Sequence, residues 1–331
     1  GKRFVAAFPK GVNGRIQYGN GVKAHAVYLS QYQLLPYDRI REYFTDQLNI
    51  PLSTGSLYNF INTAYSKLEE TNALEIIKTN LRNEAVLHAD ETGININGGR
   101  QWLHNASSLK WTYLSAHEKR GHTAMDDIGI LPHFNGVMCH DHWKPYYRYD
   151  CLHSLCNAHH LRELTRAYEQ DGQAWAETMR LFLVKLNQSV HDEGGSISKE
   201  KQVSYITQYR TILRDGEKES PAPIRVKGKR GRPKKTTSRN LLERLQNYED
   251  DVLRFMADSE VPFTNNQGEN DLRMAKVQQK ISGCFRSEYG ADMFFGLRSY
   301  LSSCKKQGVS ASTALTLLLN GMLPNIFPPA E

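Results

Sequence analysis

The apolar positions between residues 37 and 70 recur at the three- and four-residue spacing of two short helices. The first apolar face consists of Tyr37, Ile40, Phe44 and Leu48. The second consists of Leu57, Phe60, Ile61, Ala64 and Leu68. The chain turns at Asn49–Ser53, and Ser53, Thr54 or Ser56 can cap the second helix. Two such helices form a helix-turn-helix candidate, and the pattern leaves DNA reading and plain packing both open.

Beyond residue 84 the pattern changes to that of short strands. The apolar runs are Ala85–Ala89, Gln101–Ala106, Trp111–Ser115, Gly136–His140 and a possible fifth at Leu152–Cys156. The sequence Asn97-Gly98-Gly99 is typical of a hairpin turn between the first two runs. A short helical segment near Thr123–Ile130 precedes the fourth run. Three strands in a meander, a crossover and two further strands predict an α/β fold with a mixed sheet.

Helical periodicity returns in the last part of the chain. It covers Asn157 to about Val190, Leu241–Met256, and Asn266 onward, where Leu297, Tyr300, Leu301 and Cys304 form one stripe. The segment from about 187 to 240 is poor in apolar periodicity, and we predict an arm there. Residues 1–36 are rich in Gly, Tyr and Gln, and we predict a second irregular arm.

Length and composition indicate a soluble protein of two or three domains. The chain has 331 residues, of which 40% are hydrophobic. The richest apolar run, Ala314–Leu323, is too short to cross a membrane and contains Asn320 and Gly321. The first ten residues have no apolar core of a secretory signal. Five irregularly spaced cysteines favour reduced thiols in a cytoplasm over a disulfide framework, and no membrane partner is expected.

Positive charge is concentrated in one segment. The net charge is +7, and the stretch 221–240 contains eight basic residues and no acidic one. The basic residues are Arg225, Lys227, Lys229, Arg230, Arg232, Lys234, Lys235 and Arg239. Arg230-Gly231-Arg232-Pro233 resembles an AT-hook core, in which arginines lie along a narrow minor groove. Although a basic run is often a solvated loop, we predict that this one contacts DNA and adds affinity more than sequence choice.

Two aspartates occupy matched positions after predicted strands. Asp90 follows the first apolar run and Asp141 follows the fourth. If the crossover makes these strands parallel neighbours, both carboxylates emerge at the same edge of the sheet. Carboxylates so placed bind hard cations, although an aspartate after a strand can also be a simple turn residue.

A third acid lies near the start of a predicted helix. Asn265, Glu269, Arg273 and Lys276 fall on one helical face, at spacings of four, four and three. This face can be a solvated surface, or Glu269 and Arg273 can form a surface ion pair that contributes little to stability. Spacing alone favours that interpretation.

Four blocks in the sequence together resemble the insertion sequence 66 family of bacterial transposases, from about residue 30 to 320. The blocks are His88-Ala89-Asp90-Glu91-Thr92-Gly93, Cys139-His140-Asp141-His142-Trp143-Lys144-Pro145-Tyr146-Tyr147, Cys156-Asn157-Ala158-His159-His160-Leu161-Arg162-Glu163 and Asn265-Asn266-Gln267-Gly268-Glu269. The basic Lys229–Lys235 also looks like an arm of this family. The resemblance implies a ribonuclease-H-like mixed sheet with a catalytic triad of Asp90, Asp141 and Glu269 and a helical insertion.

The resemblance also implies a domain order. We expect an arm at 1–36, a helix-turn-helix-like region at 37–82, a catalytic core at 83–165 and 256–331, and a mostly helical insertion at 166–255 that carries the basic arm. Family members usually have a cysteine-rich, zinc-binding segment ahead of the helix-turn-helix region, and residues 1–36 contain no cysteine.

The implied activity is cleavage and joining of DNA with two Mg²⁺ or Mn²⁺ ions held by Asp90, Asp141 and Glu269. The implied partners are transposon ends and target DNA, further copies of the chain in a dimer or larger assembly, and small accessory proteins. Besides the basic arm, Arg273 and Lys276 are predicted DNA contacts. The alternatives are a nuclease of the same fold that does not join DNA, and an inactive DNA-binding repressor.

Cysteine and histidine cluster after the second aspartate, at Cys151, His153, Cys156, His159 and His160. Their spacing is not that of an ordinary zinc finger, because a second cysteine pair is missing. A Cys-x-x-His following the second catalytic aspartate recurs in related transposases, where it looks structural. We therefore predict a structural role for Cys156 and His159 near the site. The neighbouring Arg162 and Glu163 can face DNA or the core.

Overall fold

The computed structural model describes residues 17–223 and 233–327. The chain divides into two compact units. One comprises Gly1–Ile77, Asn95–Gly99 and Val277–Glu331, and the other comprises Lys78–Ile94 and Arg100–Lys276. Within the described ranges, no helix has the length and apolar character needed to cross a membrane. All five cysteines are free thiols.

The N-terminal unit begins with helices. They are α1 (Asn20–Val27), a π-helical turn (Tyr28–Tyr32), α2 (Tyr37–Leu48), α3 (Thr54–Glu70) and α4 (Ala73–Arg82). The Ser56 amide donates to the Ser53 hydroxyl at 3.0 Å, so Ser53 is the cap that the sequence predicted. The buried face of α3 is confirmed residue for residue.

Helix α1 corrects the prediction of an irregular arm over residues 1–36. Its buried residues are Ala24, Ala26 and Val27, which are too few and too closely spaced to produce a helical stripe in the sequence. Residues 1–16 of that arm lie outside the described part of the chain.

A five-stranded mixed sheet forms the centre of the second unit. Its strands are β1 (Val86–Ile96), β2 (Gly99–Ser107), β3 (Thr112–His117), β4 (Val137–His140) and β5 (Leu152–Leu155), with α5 (His122–Ile128) between β3 and β4. The order across the sheet is β3-β2-β1-β4-β5. Strand β4 pairs in parallel with β1 and β5, whereas β2 and β3 are antiparallel. The predicted mixed sheet is confirmed.

The predicted hairpin turn joins β1 and β2. Asn97 and Gly98 have positive φ angles of 50° and 78°, the left-handed geometry that Asn-Gly adopts in two-residue hairpins. Strand β1 is longer than the predicted run Ala85–Ala89, because it continues through polar residues to Ile96.

Five helices follow β5. They are α6 (Asn157–Asp171), α7 (Ala174–Asp192), α8 (Lys199–Glu219), α9 (Thr237–Asn247) and α10 (Glu249–Leu253). They share an apolar core that includes Trp175, Leu213 and Leu242. The helical run predicted from Asn157 to Val190 is divided at Gly172, whose φ of 67° ends α6. Helix α8 corrects the prediction of an arm over 187–240.

The chain ends with α11 (Asn266–Ser282), α12 (Glu288–Lys306) and α13 (Ala311–Leu319). The predicted apolar stripe of α12 is buried, as expected. Where α12 packs on α3, a Cβ on Gly296 would lie 2.7 Å from the ring of Tyr65, so only glycine fits at this crossing. Val277–Glu331 belongs to the same unit as the N-terminal helices. The predicted limits of catalytic core and insertion stay a prediction.

Candidate active site

Asp90 lies in β1, and Asp141 directly follows β4, the parallel neighbour of β1. The pairs Val86–Val137, Leu87–Met138 and His88–Cys139 all have an offset of 51 residues. Asp90 and Asp141, each two residues beyond the last of these pairs, have the same offset. Asp141 directly follows β4, as predicted. Asp90 lies inside β1 rather than at its end, which corrects the prediction, although the pairing of the two acids does not depend on where β1 ends.

The electrostatics of Asp90 show that other acids are close. Its pKa is raised to about 7, mainly by burial and in addition by the negative charges of Glu91, Asp141 and Glu269. The Glu91 amide donates to Asp90 Oδ1 at 2.9 Å, which opposes the rise only in part. All three predicted acids therefore belong to one negatively charged region that a cation would stabilise.

A tight turn orients the Asp141 carboxylate. The Trp143 amide donates to Asp141 Oδ1 at 2.9 Å. Between them, His142 has a positive φ of 74°, which is uncommon outside glycine and asparagine. The His142 amide donates to His140 Nδ1 at 3.1 Å, and His140 itself is fully buried. The chain therefore turns sharply directly after β4, with Asp141 at the start of the turn.

Asn265 attaches the start of α11 to β1. Its amide group donates to the Ala89 carbonyl at 2.9 Å and accepts from His88 Nδ1 at 2.7 Å. Its backbone carbonyl accepts the Glu269 amide at 3.2 Å. Asn265 is only 1% exposed, so these bonds are shielded from water. Glu269 is thereby held one helical turn away from the strand that carries Asp90.

Gly268 allows this close approach. A Cβ at this position would lie 3.0 Å from the Asn265 side chain. The Gly268 carbonyl also accepts from Asn105 Nδ2 of β2 at 3.1 Å. The first turn of α11 is therefore fixed to both β1 and β2.

Glu91 is a site residue whose role the sequence did not reveal. Its side chain is 2% exposed and lies 2.6 Å from Arg120 Nη2. The Tyr146 hydroxyl donates to its other oxygen at 2.5 Å. Arg120 in turn stacks between Trp102 and Trp143, with ring-centroid distances of 4.7 and 4.5 Å. Glu91 therefore organises the residues beside Asp90 and Asp141, and a lone Glu next to an Asp carries no sequence signal for this.

Cys156 and His159 lie beside Glu269, at the first turn of α6. Together they form the one group of three Cys, His, Asp or Glu residues in the described ranges whose potential metal-ligand atoms all lie within 4.8 Å of one another. Arg162 Nη2 and His159 Nδ1 are each 3.8 Å from Glu269 Oε1. The sequence placed Cys156 and His159 near the site but gave no reason to group them with Glu269.

Glu163 faces the helical core. It forms an ion pair with Arg244 of α9, with nitrogen–oxygen distances of 2.7 and 3.1 Å. Arg162, one residue earlier, has a side chain 65% exposed. The sequence left open whether Arg162 and Glu163 face the core. Glu163 does, whereas the Arg162 side chain faces solvent.

The predicted DNA-contact residues differ in their surroundings. Arg273 and Lys234 are exposed. Lys276 donates to the Gly93 carbonyl of β1, and Lys235 pairs with Glu243. Arg239, also of the basic segment, is 7% exposed and pairs with Glu217 and Glu243. The remaining predicted contacts, Arg225, Lys227, Lys229, Arg230 and Arg232, lie outside the described residues.

The donor set of the two aspartates fits a hard divalent cation. Carboxylate oxygens are the preferred ligands of Mg²⁺ and Mn²⁺. Burial is the largest cause of the raised pKa of Asp90, and the repulsion from the neighbouring acids, which adds to it, is the interaction that such an ion would relieve.

Comparison with known proteins gives one family. A family model described as Transposase IS66 family matches residues 15–293 of the chain. The matched range includes Asp90, Asp141 and Glu269. The chain has no significant match among curated proteins.

Proposed function

The chain belongs to the Transposase IS66 family, and we propose that it cuts and joins DNA at a site formed by Asp90, Asp141 and Glu269. The observations that carry this proposal are the parallel pairing of β1 with β4, which ends two residues before Asp90 and Asp141, and the electrostatic effect of Asp141 and Glu269 on Asp90. We further propose that the fold is ribonuclease-H-like, because three meandering strands are followed by two parallel ones in the order β3-β2-β1-β4-β5.

We propose that the three carboxylates hold two Mg²⁺ or Mn²⁺ ions. Two such ions about 4 Å apart supply activation of the attacking hydroxyl and stabilisation of the leaving oxygen when they are bound. A water as nucleophile would give strand cleavage, and a DNA 3′-hydroxyl would give strand joining.

The surrounding residues would keep the three carboxylates in place. The Trp143 amide orients Asp141, and Asn265 sets the distance of Glu269 from β1. The buried Glu91, bonded to Arg120 and Tyr146, fixes the polypeptide next to Asp90. Such pre-organisation is what phosphoryl-transfer chemistry needs from a protein.

DNA would be bound mainly through its phosphates. Arg162 and Arg273 are exposed cations on α6 and α11, the two helices whose first turns meet at Glu269. The basic segment 221–240 adds further positive charge. We propose that these groups bind transposon-end and target DNA, and that the chain works as a dimer or larger assembly.

The proposal is tested with a labelled duplex that carries the end sequence of the element encoding this chain. A precut end with a free 3′-hydroxyl is incubated with a target plasmid and either Mg²⁺ or a chelator. We expect joined product with Mg²⁺ and none with chelator. Asp141→Asn and Glu269→Gln should each abolish both cleavage and joining.

Asp150→Asn is the matched control, because Asp150 is an exposed acid nine residues from Asp141. It should leave both reactions unchanged. Cleavage without joining would favour the nuclease alternative. DNA binding with neither reaction, unaffected by metal, would favour the repressor. Joining that survives Asp141→Asn would show that the site is misplaced.

A further inference from the structure

Glu269 has an oxygen that no hydrogen-bond donor reaches. Within the described residues, Glu269 Oε1 and His159 Nδ1 are both buried atoms without a hydrogen-bond partner, although the two side chains are 38% and 36% exposed. A buried carboxylate oxygen without a hydrogen-bond partner is unfavourable, because the desolvation of the oxygen is not compensated. Such a group requires an explanation, and a bound ion is one of the common ones.

The distance between these two atoms suits two ligands of one ion. They are 3.8 Å apart, which is too long for a hydrogen bond. Two ligands at about 2.1 Å from a tetrahedral ion are separated by roughly 3.4 Å. A shift of a few tenths of an ångström would therefore bring both onto the same ion.

Cys156 Sγ completes the group. All three potential ligand atoms lie within 4.8 Å of one another. Cys156 is the N-cap residue of α6, and His159 follows three positions later, so both face the same side of the first turn. The Asn265 amide donates to Cys156 Sγ at 3.1 Å, which fixes the sulfur beside the start of α11. The donor that holds the sulfur in place is thus a backbone amide and not a mobile side chain.

We propose that Cys156, His159 and Glu269 bind one Zn²⁺-class ion, distinct from the ions held by the aspartates. A thiolate, an imidazole and a carboxylate form a donor set suited to borderline-soft zinc, whereas Mg²⁺ selects oxygen donors. The Cys156 thiol releases one proton to solvent on binding. Three protein ligands leave the fourth tetrahedral position for a solvent molecule.

Arg162 is the competing partner of the same oxygen. Its guanidinium lies 3.8 Å from Glu269 Oε1 without a hydrogen bond, and its side chain is 65% exposed. A divalent ion on Oε1 would repel Arg162 toward solvent. Arg162→Gln should therefore leave the affinity for Zn²⁺ unchanged or raise it. A loss of affinity in this variant would show that ion binding needs Arg162 and would contradict the proposed set of ligands.

The ion would link the two helices that converge on Glu269. It would join the first turn of α6 to the first turn of α11 and fix one oxygen of Glu269, leaving the other available. The sequence favoured a structural role for Cys156 and His159 over a metal site, and this proposal departs from that prediction.

The proposal is tested by adding Co²⁺ to the full chain after chelator treatment. A thiolate ligand gives a sulfur-to-cobalt charge-transfer band in the near ultraviolet, and four-coordinate cobalt gives strong visible bands. We expect both, with displacement by one equivalent of Zn²⁺. Cys156→Ser should remove the charge-transfer band, and Cys151→Ser, which changes a cysteine outside the group, should keep it.

Two further variants guard against misfolding. His159→Gln and Glu269→Gln should keep the charge-transfer band but lower Zn²⁺ affinity by at least about 100-fold, because even supporting residues around metals contribute 10- to 100-fold. Absence of the band from the unmutated protein would overturn the proposal. A band that persists in Cys156→Ser would also overturn it.

The inference does not depend on the proposed cleavage chemistry, although the two share Glu269. Asp141→Asn removes a proposed Mg²⁺ ligand and should leave the cobalt spectrum unchanged. Loss of joining with an intact spectrum would support both proposals. Loss of the spectrum in Asp141→Asn would place the ion at the aspartates and overturn the separate zinc site.

Discussion

Asp90 lies in the middle of β1, within the fields of Glu91, Asp141 and Glu269. Its pKa is about 7 in the folded chain, against an ordinary value of 3.8. The folded state therefore binds this proton more tightly than the unfolded state does. The contribution of the Asp90 proton to stability is then fully present below pH 4 and is lost as the pH rises through 7, by up to about 4 kcal/mol.

Asp90→Asn should consequently stabilise the protein while abolishing catalysis. With chelator present at pH 8, we expect the free energy of unfolding to rise by roughly 2–4 kcal/mol. At pH 4 the difference should nearly vanish, because Asp90 is then protonated. Urea denaturation at both pH values measures this, with Asp150→Asn as the control. A destabilised Asp90→Asn at pH 8 would contradict the assigned pKa.

Glu91→Gln should have the opposite effect on stability. The substitution keeps the shape of the side chain but removes the charge that pairs with Arg120. Burial also raises the pKa of Glu91, but the hydrogen bonds from Tyr146 and Arg120 oppose that rise. Because Gln would leave Arg120 without its ion-pair partner, we expect a net loss of about 1–2 kcal/mol in the free energy of unfolding. Glu118→Gln changes an exposed glutamate and should have almost no effect. Equal denaturation curves for Glu91→Gln and the unmutated chain would show that the ion pair contributes nothing.

At the scale of single residues, the sequence predicted the position of a site residue that directly follows a strand. It did not predict roles that depend on distant partners. Asp141 follows a buried apolar strand, so its position could be predicted. The roles of Glu91 and Asn265 depend on partners far away along the chain, Tyr146 and Ala89, and no local pattern encodes them. The grouping of Glu269 with Cys156 is of the same kind.

At the scale of elements, the attachment of α11 to β1 is the interaction on which the site depends most. Asn265→Ala removes two side-chain hydrogen bonds that are shielded from water, to His88 and Ala89. We expect about 2–3 kcal/mol of destabilisation and a loss of joining activity larger than unfolding explains. Calorimetry and the joining assay at a temperature where the variant is folded measure the two effects.

Asn266→Ala is the matched control for that variant. Asn266 is exposed and is the next residue of the chain. Its replacement should cost less than about 0.5 kcal/mol. If both variants join DNA as the unmutated chain does, Asn265 does not position Glu269.

Two helical glycines should respond to alanine with opposite signs. A Cβ on Gly216 of α8 would lie 2.8 Å from Leu242 and 3.0 Å from Trp175, so Gly216→Ala should destabilise by about 1–3 kcal/mol. A Cβ on Gly55 of α3 would meet only Ser53 Oγ at 3.7 Å. Gly55→Ala should therefore stabilise by about 0.5 kcal/mol through helix propensity. Melting temperatures that move in the same direction would contradict the packing of α8 against α7 and α9.

Elements with one continuous apolar face could be predicted from the sequence, and those without could not. Helix α3 buries five residues at regular spacing and was predicted in full. Helix α8 has 21 residues but buries only Tyr209, Leu213 and Gly216, so its apolar signal is weak. The middle of β1, residues 90–93, is half-buried and contains no apolar side chain, which interrupts the apolar pattern of the strand.

At the scale of the whole molecule, positive charge should determine how DNA binding depends on salt. The triple substitution Lys229→Ala, Arg230→Ala and Arg232→Ala removes three of the eight charges of the basic segment. If all three contact phosphates, the slope of log affinity against log salt should fall by about 2 to 3. Lys235 pairs with Glu243, so Lys235→Ala should change the slope much less. Fluorescence anisotropy over a salt series measures both. Equal slopes for the triple variant and the unmutated chain would exclude the basic segment from DNA binding.

The position of Glu269 in the chain also has a consequence for protein synthesis. Asp90 and Asp141 are on neighbouring strands, but 128 residues separate Asp141 from Glu269. A ribosome that adds about 5–20 residues per second needs roughly 6–25 seconds to translate that interval. On the proposed chemistry, a nascent chain would lack its third carboxylate during all of that time. A chain that terminates before Glu269 would lack it permanently. The cell would thus be protected from a nuclease that is only partly made.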